Sequence, residues 1–189
     1  MKTNISKIII LALLVAFVGA SFFTQPTQAA FDSARRGPGN SLQGGTSNGV
    51  TPFTAVPTSL TEEEAADLQE AILEEYMAMN TYQAVLDTLG SQVPFTRIVR
   101  AEQQHSSALI RVAERYGVEV PENTGEVFEF TYTNLAEACQ MGVDLEIADA
   151  ALYDELLAKT SNPALIRVYT RLQAASLNNH LPAFEACAN

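Results

Sequence analysis

Four long segments with helical periodicity, separated by links of very different length, limit the folds open to this chain. They run from about Glu62 to Leu89, Pro94 to Tyr116, Asn134 to Lys159, and Asn162 to His180 or beyond. Apolar residues recur in each segment at the three- and four-residue spacing of an amphipathic helix, and there is little of the alternation expected of strands. The sequence therefore predicts an all-α domain.

Local signals for helix ends support these boundaries. Thr61 with Glu64, and Asn134 with Glu137, have the spacing of a capping box, in which each side chain bonds the free backbone N–H of the other residue. Gly117 follows the second segment, where glycine commonly ends a helix. These signals indicate that the segments are separate helices rather than one continuous coil.

The lengths of the links indicate which helices are neighbours. About four residues join the first helix to the second, and about two join the third to the fourth, so each pair should form an antiparallel hairpin. About 17 residues, Tyr116 to Thr133, lie between the hairpins, and a link of this length can run along a bundle. A short strand at 127–132 is an alternative for part of the link. We therefore expect a four-helix bundle of two antiparallel hairpins joined by a long crossover.

The start of the chain has the features of a signal peptide. Residues 1–7 carry two lysines and no acid, residues 8–23 are almost wholly apolar, and small residues follow. We expect cleavage before Ala30, so that residues 1–29 are removed. Cleavage after Ala20 and an uncleaved membrane anchor are the alternatives, although an apolar stretch of about 16 residues is short for a span that needs about 20.

The rest of the chain divides into a linker and a folded domain. Residues 30–58 are rich in Gly, Ser, Pro and Thr and have few large apolar side chains, so we expect a flexible linker. Residues 59–189 then form the bundle, and no segment among them is apolar enough to span a membrane. The sequence predicts an exported, extracytoplasmic protein with no stable membrane insertion after signal cleavage, and it leaves a homo-oligomer open.

The charge of the chain excludes some partners. The formal net charge is −11, and removal of residues 1–29 takes away Lys2 and Lys7 but no acid, which leaves −13. A domain of this charge should repel nucleic acid and anionic lipid. It could attract cations, although many exported proteins are acidic for solubility alone.

A pattern of glutamate and tyrosine occurs twice along the predicted helices. Glu75 precedes Tyr82 by seven residues in the first helix, and Glu146 precedes Tyr153 by seven in the third. Seven residues are about two helical turns, so each pair shares one helix face. The neighbours at helical spacing are apolar, which points these carboxylates toward the interior. A solvated helix face is the alternative.

The second helix contains a Glu-x-x-His motif, Glu102 to His105, and both histidines of the chain belong to the pattern. Residues at i and i+3 point to one side and can hold one metal together. His180 stands where a second such motif would end. Buried carboxylates are costly unless they are paired or bound to a cation. Carboxylate oxygens with imidazole nitrogens suit iron, manganese or zinc.

These residues resemble the ferritin-like superfamily of di-iron carboxylate proteins, and more closely a bacterial and archaeal family of ferritin-like domains. The resemblance covers about residues 60–184, and it rests on Glu74-Glu75 with Tyr82, Glu102-x-x-His105, Gly142 with Glu146 and Asp149, and Asn179-His180-Leu181 with Ala183-Phe184. It implies that the metal ligands are Glu75, Glu102, His105, Glu146 and His180. It also implies iron as the cofactor, in one or two ions, with manganese or zinc as alternatives.

The chain departs from the superfamily in the fourth helix. There a second Glu-x-x-His would be expected, but Leu177 stands three residues before His180. Asp149 or a water would then supply the missing oxygen, or the site would hold a single metal. Tyr82 and Tyr153 would hydrogen-bond to ligand carboxylates, or simply pack in the core.

The pattern leads to three hypotheses about function. The first is an oxidoreductase that oxidises Fe(II) or reduces oxygen or peroxide. The second is a metal-binding module without turnover, which the missing fourth-helix glutamate favours. The third is a purely structural bundle.

The two cysteines provide a geometric test of the arrangement. Cys139 lies seven residues before Glu146, and Cys187 lies seven residues after His180. In antiparallel helices both displacements run toward the same end of the bundle, so the two residues can meet. We expect a disulfide, as is common in exported proteins. Pro182 should kink or end the fourth helix near His180.

Overall fold

Residues 59–189 are described by a computed structural model, and this part of the chain is helical and contains no strand. The helices are α1 (Glu62–Leu89), α2 (Phe95–Tyr116), α3 (Leu135–Lys159), α4 (Pro163–Ala175) and α5 (Leu181–Ala188), with a π-helical segment (Ser176–His180) between the last two. The alternative of a strand at 127–132 is therefore wrong. The predicted signal peptide (1–29) and linker (30–58) lie outside the described residues. No helix within 59–189 is both long and apolar enough to cross a membrane.

Helix ends follow the local signals, with one difference. The Thr61–Glu64 capping box at the start of α1 is complete, with both bonds at 3.0 Å. At α3 the Asn134 side chain accepts from the backbone N–H of Glu137, but the Glu137 carboxylate accepts from Thr133 instead of closing a box. The second box is therefore only half formed, because the residue one position earlier offers both a backbone and a hydroxyl donor.

The helices of each hairpin are antiparallel, as the link lengths predict. In each hairpin, residue numbers rise along one helix as they fall along its neighbour. The pairs in contact between α1 and α2 are Tyr82 with Phe95 and Glu75 with His105. Asp154 of α3 contacts Gln173 of α4, and Asp149 of α3 contacts Ser176 of the π-helical segment that continues α4. The hairpins also pack antiparallel on each other. Between α1 and α3 the contacts are Tyr82 with Glu146 and Glu75 with Tyr153. Tyr116 of α2 contacts Asn162, which caps the start of α4, and Glu102 of α2 contacts His180 at the end of the π-helical segment.

The link between α2 and α3 runs along α1. The side chain of Gln69 donates to the carbonyl of Glu119 at 2.8 Å, and the Thr81 hydroxyl accepts from the backbone N–H of Phe128 at 2.9 Å. Residue numbers rise together in the link and in α1, so the two run in the same direction. This is the long crossover that the sequence predicts.

Two apolar clusters fill the interior and leave a polar layer between them. One contains Ile72, Leu109, Tyr153 and Leu165, and the other contains Tyr82, Phe95, Cys139 and Phe184. Along every helix the first cluster lies on one side of the charged residues and the second cluster on the other. The fold thus places one buried charged layer across the middle of the bundle.

The second cluster includes a close approach between helices. Gly142 of α3 lies against the Phe184 ring of α5, and a Cβ at this glycine would be 2.6–2.7 Å from three ring atoms. We expect Gly142→Ala to lower the free energy of unfolding by about 1–3 kcal/mol, because the methyl group overpacks the core. Urea denaturation measures this change. Phe184→Leu in the same chain should recover part of the loss, whereas a stabilising Gly142→Ala would show that the helices have room.

The helix carrying His180 continues beyond Pro182 instead of ending near it. The backbone N–H of Leu181 bonds the carbonyl of Ser176, five residues back, as in a π-helical turn. Pro182 then lies in the first turn of α5, where a missing N–H is tolerated. This wider turn changes which residues before His180 face inward.

Candidate metal centre

Five ionisable side chains meet in the polar layer between the two apolar clusters. They are Glu75 of α1, Glu102 and His105 of α2, Glu146 of α3, and His180 at the end of the π-helical segment. The three glutamates and His180 are at most 4% exposed, and the His105 side chain is 13% exposed. The structure therefore brings together all five residues that the resemblance implies as ligands.

Glu102 lies at the centre of this layer, between the two imidazoles. His105 Nδ1 is 2.8 Å from one oxygen of Glu102, and His180 Nδ1 is 3.0 Å from the other. Each imidazole also faces a second carboxylate, Glu75 at 3.4 Å from His105 and Glu146 at 3.3 Å from His180. The two rings stack, with centroids 5.2 Å apart. The arrangement is nearly symmetric about Glu102.

Atoms of the layer have the spacing needed to hold a cation. One atom each from Glu102, His105 and His180 lie within 4.8 Å of one another. His180 Nδ1 is buried and makes no well-directed hydrogen bond, although carboxylate oxygens lie close to it. A buried nitrogen without a partner is costly, and coordination to a cation would satisfy it.

The imidazoles and the carboxylate of Glu102 change one another's pKa. Burial by itself lowers the pKa of His105 and of His180, but the adjacent buried carboxylates outweigh it and raise each pKa to about 10. Burial opposes ionisation of Glu102, yet the two imidazoles beside it bring its pKa down to about 2. Two imidazolium groups then share one carboxylate.

The outer carboxylates differ from Glu102 in their ionisation. Burial raises the pKa of Glu75 well above its usual range, and the negative charge of Glu102 adds to this effect. Burial also raises the pKa of Glu146. A cation that replaced these protons would let all three carboxylates ionise, so metal binding here should be coupled to proton release.

Each tyrosine of the repeated pattern bonds the glutamate of the other repeat. Tyr82 donates to Glu146 at 2.7 Å, and Tyr153 donates to Glu75 at 2.5 Å. Both rings are at most 1% exposed. The hydroxyls therefore reach the carboxylates across the two hairpins rather than along one helix. These bonds hold Glu75 and Glu146 in orientation and occupy one oxygen of each.

The fourth helix presents Ser176 to the interior rather than Leu177. Leu177 is 43% exposed and Ser176 is 1% exposed, because the π-helical turn moves the inward position from three to four residues before His180. The Ser176 hydroxyl donates to Asp149 at 2.5 Å. Leu177 therefore does not fill the place of a missing ligand, and Asp149 is bonded to Ser176.

Ser176 and Glu74 also lie near the layer, and the sequence predicts a role for neither of them. Ser176 has no sequence signal beyond a small hydroxyl residue shortly before Pro182. Glu74 is half-buried beside the layer, and burial raises its pKa to about 7. Burial likewise raises the pKa of Asp149 well above its usual range. A second group of carboxylates thus adjoins the five candidate ligands.

The predicted disulfide between Cys139 and Cys187 is present and links α3 to α5, with the Cα atoms 5.7 Å apart. It anchors α5 seven residues beyond His180. The chain contains no other cysteine.

Comparisons with known proteins identify related chains. Residues 68–187 match the family described as "Uncharacterized protein domain (DUF2202)". The uncharacterized protein MJ0754 of Methanocaldococcus jannaschii is 28% identical over 145 residues, which cover 69% of this chain and 77% of that protein. The crystal structure of hypothetical protein MJ0754 from Methanococcus jannaschii aligns with a TM-score of 0.63 and 25% identity, over 72% of this chain and 86% of that one.

Proposed function

This chain belongs to the DUF2202 domain family, and we propose that it binds metal ions at the centre of a ferritin-like four-helix bundle. The observation that carries the proposal is the convergence of three buried carboxylates and two imidazoles on one layer. Isolated charges in such an interior are costly, and a cation would offset that cost. Antiparallel hairpins joined by a crossover along α1 support the ferritin-like arrangement.

Iron is the metal we propose, with manganese or zinc as alternatives. Carboxylate oxygens and imidazole nitrogens suit all three ions. The layer divides into two similar halves, Glu75 with His105 and Glu146 with His180, and Glu102 lies between them. This division favours two ions that share Glu102. A single ion held by Glu102, His105 and His180 is the simpler alternative.

The activity we propose is oxidation of Fe(II) or reduction of oxygen or peroxide. Bound iron would supply the electrons for such a reaction. Tyr82 and Tyr153 orient the outer carboxylates by hydrogen bonds, and the apolar clusters on both sides of the layer limit access of water. A metal-binding module without turnover is the second candidate, since no glutamate of the fourth helix joins the layer. A purely structural bundle is the third.

Incubation of the purified protein with Fe(II) in air tests the proposed activity. We expect oxidation faster than in buffer, and a rate reduced at least about tenfold by Glu146→Gln. Asp144→Asn, which changes an exposed carboxylate on the same helix, is the matched control. Bound zinc without oxidation would instead favour the module without turnover. A protein that neither binds metal nor responds to a chelator would be a structural bundle.

Introducing a glutamate three residues before His180 should not increase the metal affinity of the site. Leu177 points to solvent, so the carboxylate of Leu177→Glu cannot reach the layer while the π-helical turn persists. We expect its metal affinity to stay within about twofold of the unmodified protein and its stability within about 0.5 kcal/mol. Competition with a chromogenic chelator measures the affinity. Markedly tighter binding would mean that the turn rearranges to α-helical geometry.

Metal affinity should rise with pH. The pKa of His105 and of His180 is about 10, so at neutral pH both carry a proton that a metal must displace. Raising the pH removes this competition, and we expect the apparent affinity for Zn(II) to increase by roughly tenfold or more per pH unit between about pH 6 and 8. Calorimetry in buffers of different ionisation enthalpy counts the protons released. Binding without proton release would contradict the predicted proton displacement.

An exported location is part of the proposal. The disulfide indicates an oxidising environment for the folded domain. The basic and apolar start of the chain supports secretion as the route to that environment.

A further inference from the structure

Charged side chains are unevenly distributed over residues 59–189. The α1 helix, the crossover link and α3 together carry eighteen carboxylates and a single lysine. The opposite side, formed by α2, α4, the π-helical segment and α5, has six exposed arginines and three carboxylates. The arginines are Arg97, Arg100, Arg111, Arg115, Arg167 and Arg171. One of the three carboxylates is the buried Glu102, so this acidic chain has a basic side that favours anions.

A cavity of about 640 Å³ lies on the basic side, between the start of α2 and α5. Its walls are mainly apolar and include Ile98, Ala101 and Ala183. Its polar lining consists of Arg97, Asn179 and His180. Small-molecule sites typically have volumes of about 300–1,000 Å³ with apolar walls and a few polar groups, and the cavity has these properties.

The cavity is bordered by the candidate metal centre on one side and by an unpaired cation on another. His180 lines it and is 4% exposed, while its Nδ1 faces Glu102 and Glu146. Arg97 is exposed, and no carboxylate within residues 59–189 lies close enough to form an ion pair with it. A ligand that spans the cavity would therefore contact a free guanidinium and the ring of His180.

We propose that this cavity binds a small organic monocarboxylate, with its carboxylate on Arg97 and its apolar body against Ile98 and Ala183 toward His180. A guanidinium forms paired hydrogen bonds with a carboxylate, which gives this anion a geometric advantage. The apolar walls favour an anion with a hydrocarbon body over an inorganic one. The cavity adjoins the proposed metal site at His180, but the contact of the carboxylate with Arg97 requires no metal.

Titration of the purified, chelator-treated protein with benzoate tests this inference, and benzyl alcohol serves as the neutral probe of similar shape. We expect benzoate to bind more tightly than benzyl alcohol. Arg97→Gln should weaken benzoate at least about tenfold, because it removes charge-assisted hydrogen bonds. Arg111→Gln, at an exposed arginine further along the same face of α2, is the matched control and should change the affinity less than about twofold.

A second variant tests the contribution of the cavity independently of the surface charge. Ala183→Leu should fill the cavity and weaken both benzoate and benzyl alcohol. The inference is overturned if benzoate does not bind, if it binds no better than benzyl alcohol, or if the two arginine variants weaken it equally. These titrations use protein without metal, so their failure would not contradict the proposed metal site. Metal-dependent stabilisation tests that site separately.

Discussion

Replacing Glu102 by glutamine should abolish the rise in melting temperature that Fe(II) or Mn(II) causes in the unmodified protein. A metal present at about a thousand times its dissociation constant stabilises the folded state by about 4 kcal/mol. For a domain of this size, that corresponds to a rise of roughly 10 °C or more. Among residues 59–189, Glu102 is the only carboxylate close to both imidazoles, so its loss removes the group that joins the two halves of the site.

The same substitution should also destabilise the protein without metal. Glu102 is 3% exposed and pairs with two imidazoles whose pKa it helps to raise to about 10. Removing one partner of a buried charged group costs about 3–5 kcal/mol, because the remaining charge has no compensation. The imidazoles should then lose their protons nearer pH 6.5. Chemical denaturation and NMR titration of the two histidines measure these effects.

Glu114→Gln is the matched control for both measurements, because it removes an exposed glutamate from the same helix. It should keep the full metal-dependent rise and lose less than about 0.5 kcal/mol of stability. Circular dichroism establishes whether Glu102→Gln is folded before metal is added. A folded Glu102→Gln protein with an undiminished metal-dependent rise would contradict the proposed site.

Loss of the Cys139–Cys187 disulfide should lower the free energy of unfolding by about 4 kcal/mol. The two residues are 48 positions apart, so the bond closes a long loop and restricts the unfolded chain. It also holds α5 on α3, and α5 contributes Phe184 to the core. Urea denaturation of the oxidised protein and of a Cys139→Ser/Cys187→Ser variant measures the difference.

The doubly substituted protein is the control for the effect of a reducing agent on the unmodified protein. Dithiothreitol should destabilise the unmodified protein and leave the variant unchanged. A thiol assay on the unfolded, oxidised protein should detect no free thiol, since the only two cysteines are bonded to each other. Two reactive thiols per chain would contradict the disulfide.

The helices could be predicted because their signals are local. Caps such as Thr61 with Glu64 and the αL residue Gly117 act within one helical turn, so they are legible in sequence. The disulfide could also be predicted, because displacements of seven residues from Glu146 and His180 translate directly into distance along a helix. Both predictions depend only on helix geometry and hairpin direction.

Prediction from regular helical spacing fails in the fourth helix. Counting three residues back from His180 assumes regular α-helical geometry, and this led to Leu177 as the inward position. The π-helical turn adds a residue, so Ser176 faces Asp149 and Leu177 faces solvent. No spacing rule identifies such a turn from Pro182 alone, because other geometries also accommodate a proline.

The sequence by itself determined the four helices, the lengths of their links, and the residue types that could bind metal, since periodicity and capping act over a few neighbouring residues. Only the tertiary structure decided that Glu102 lies between both histidines and that Tyr82 and Tyr153 each bond the glutamate of the opposite hairpin. It also decided that one of the arginines on the side of α2 and α4, Arg97, lines a mainly apolar cavity. These features depend on the register between helices distant in sequence, which packing of their side chains sets and local pattern does not.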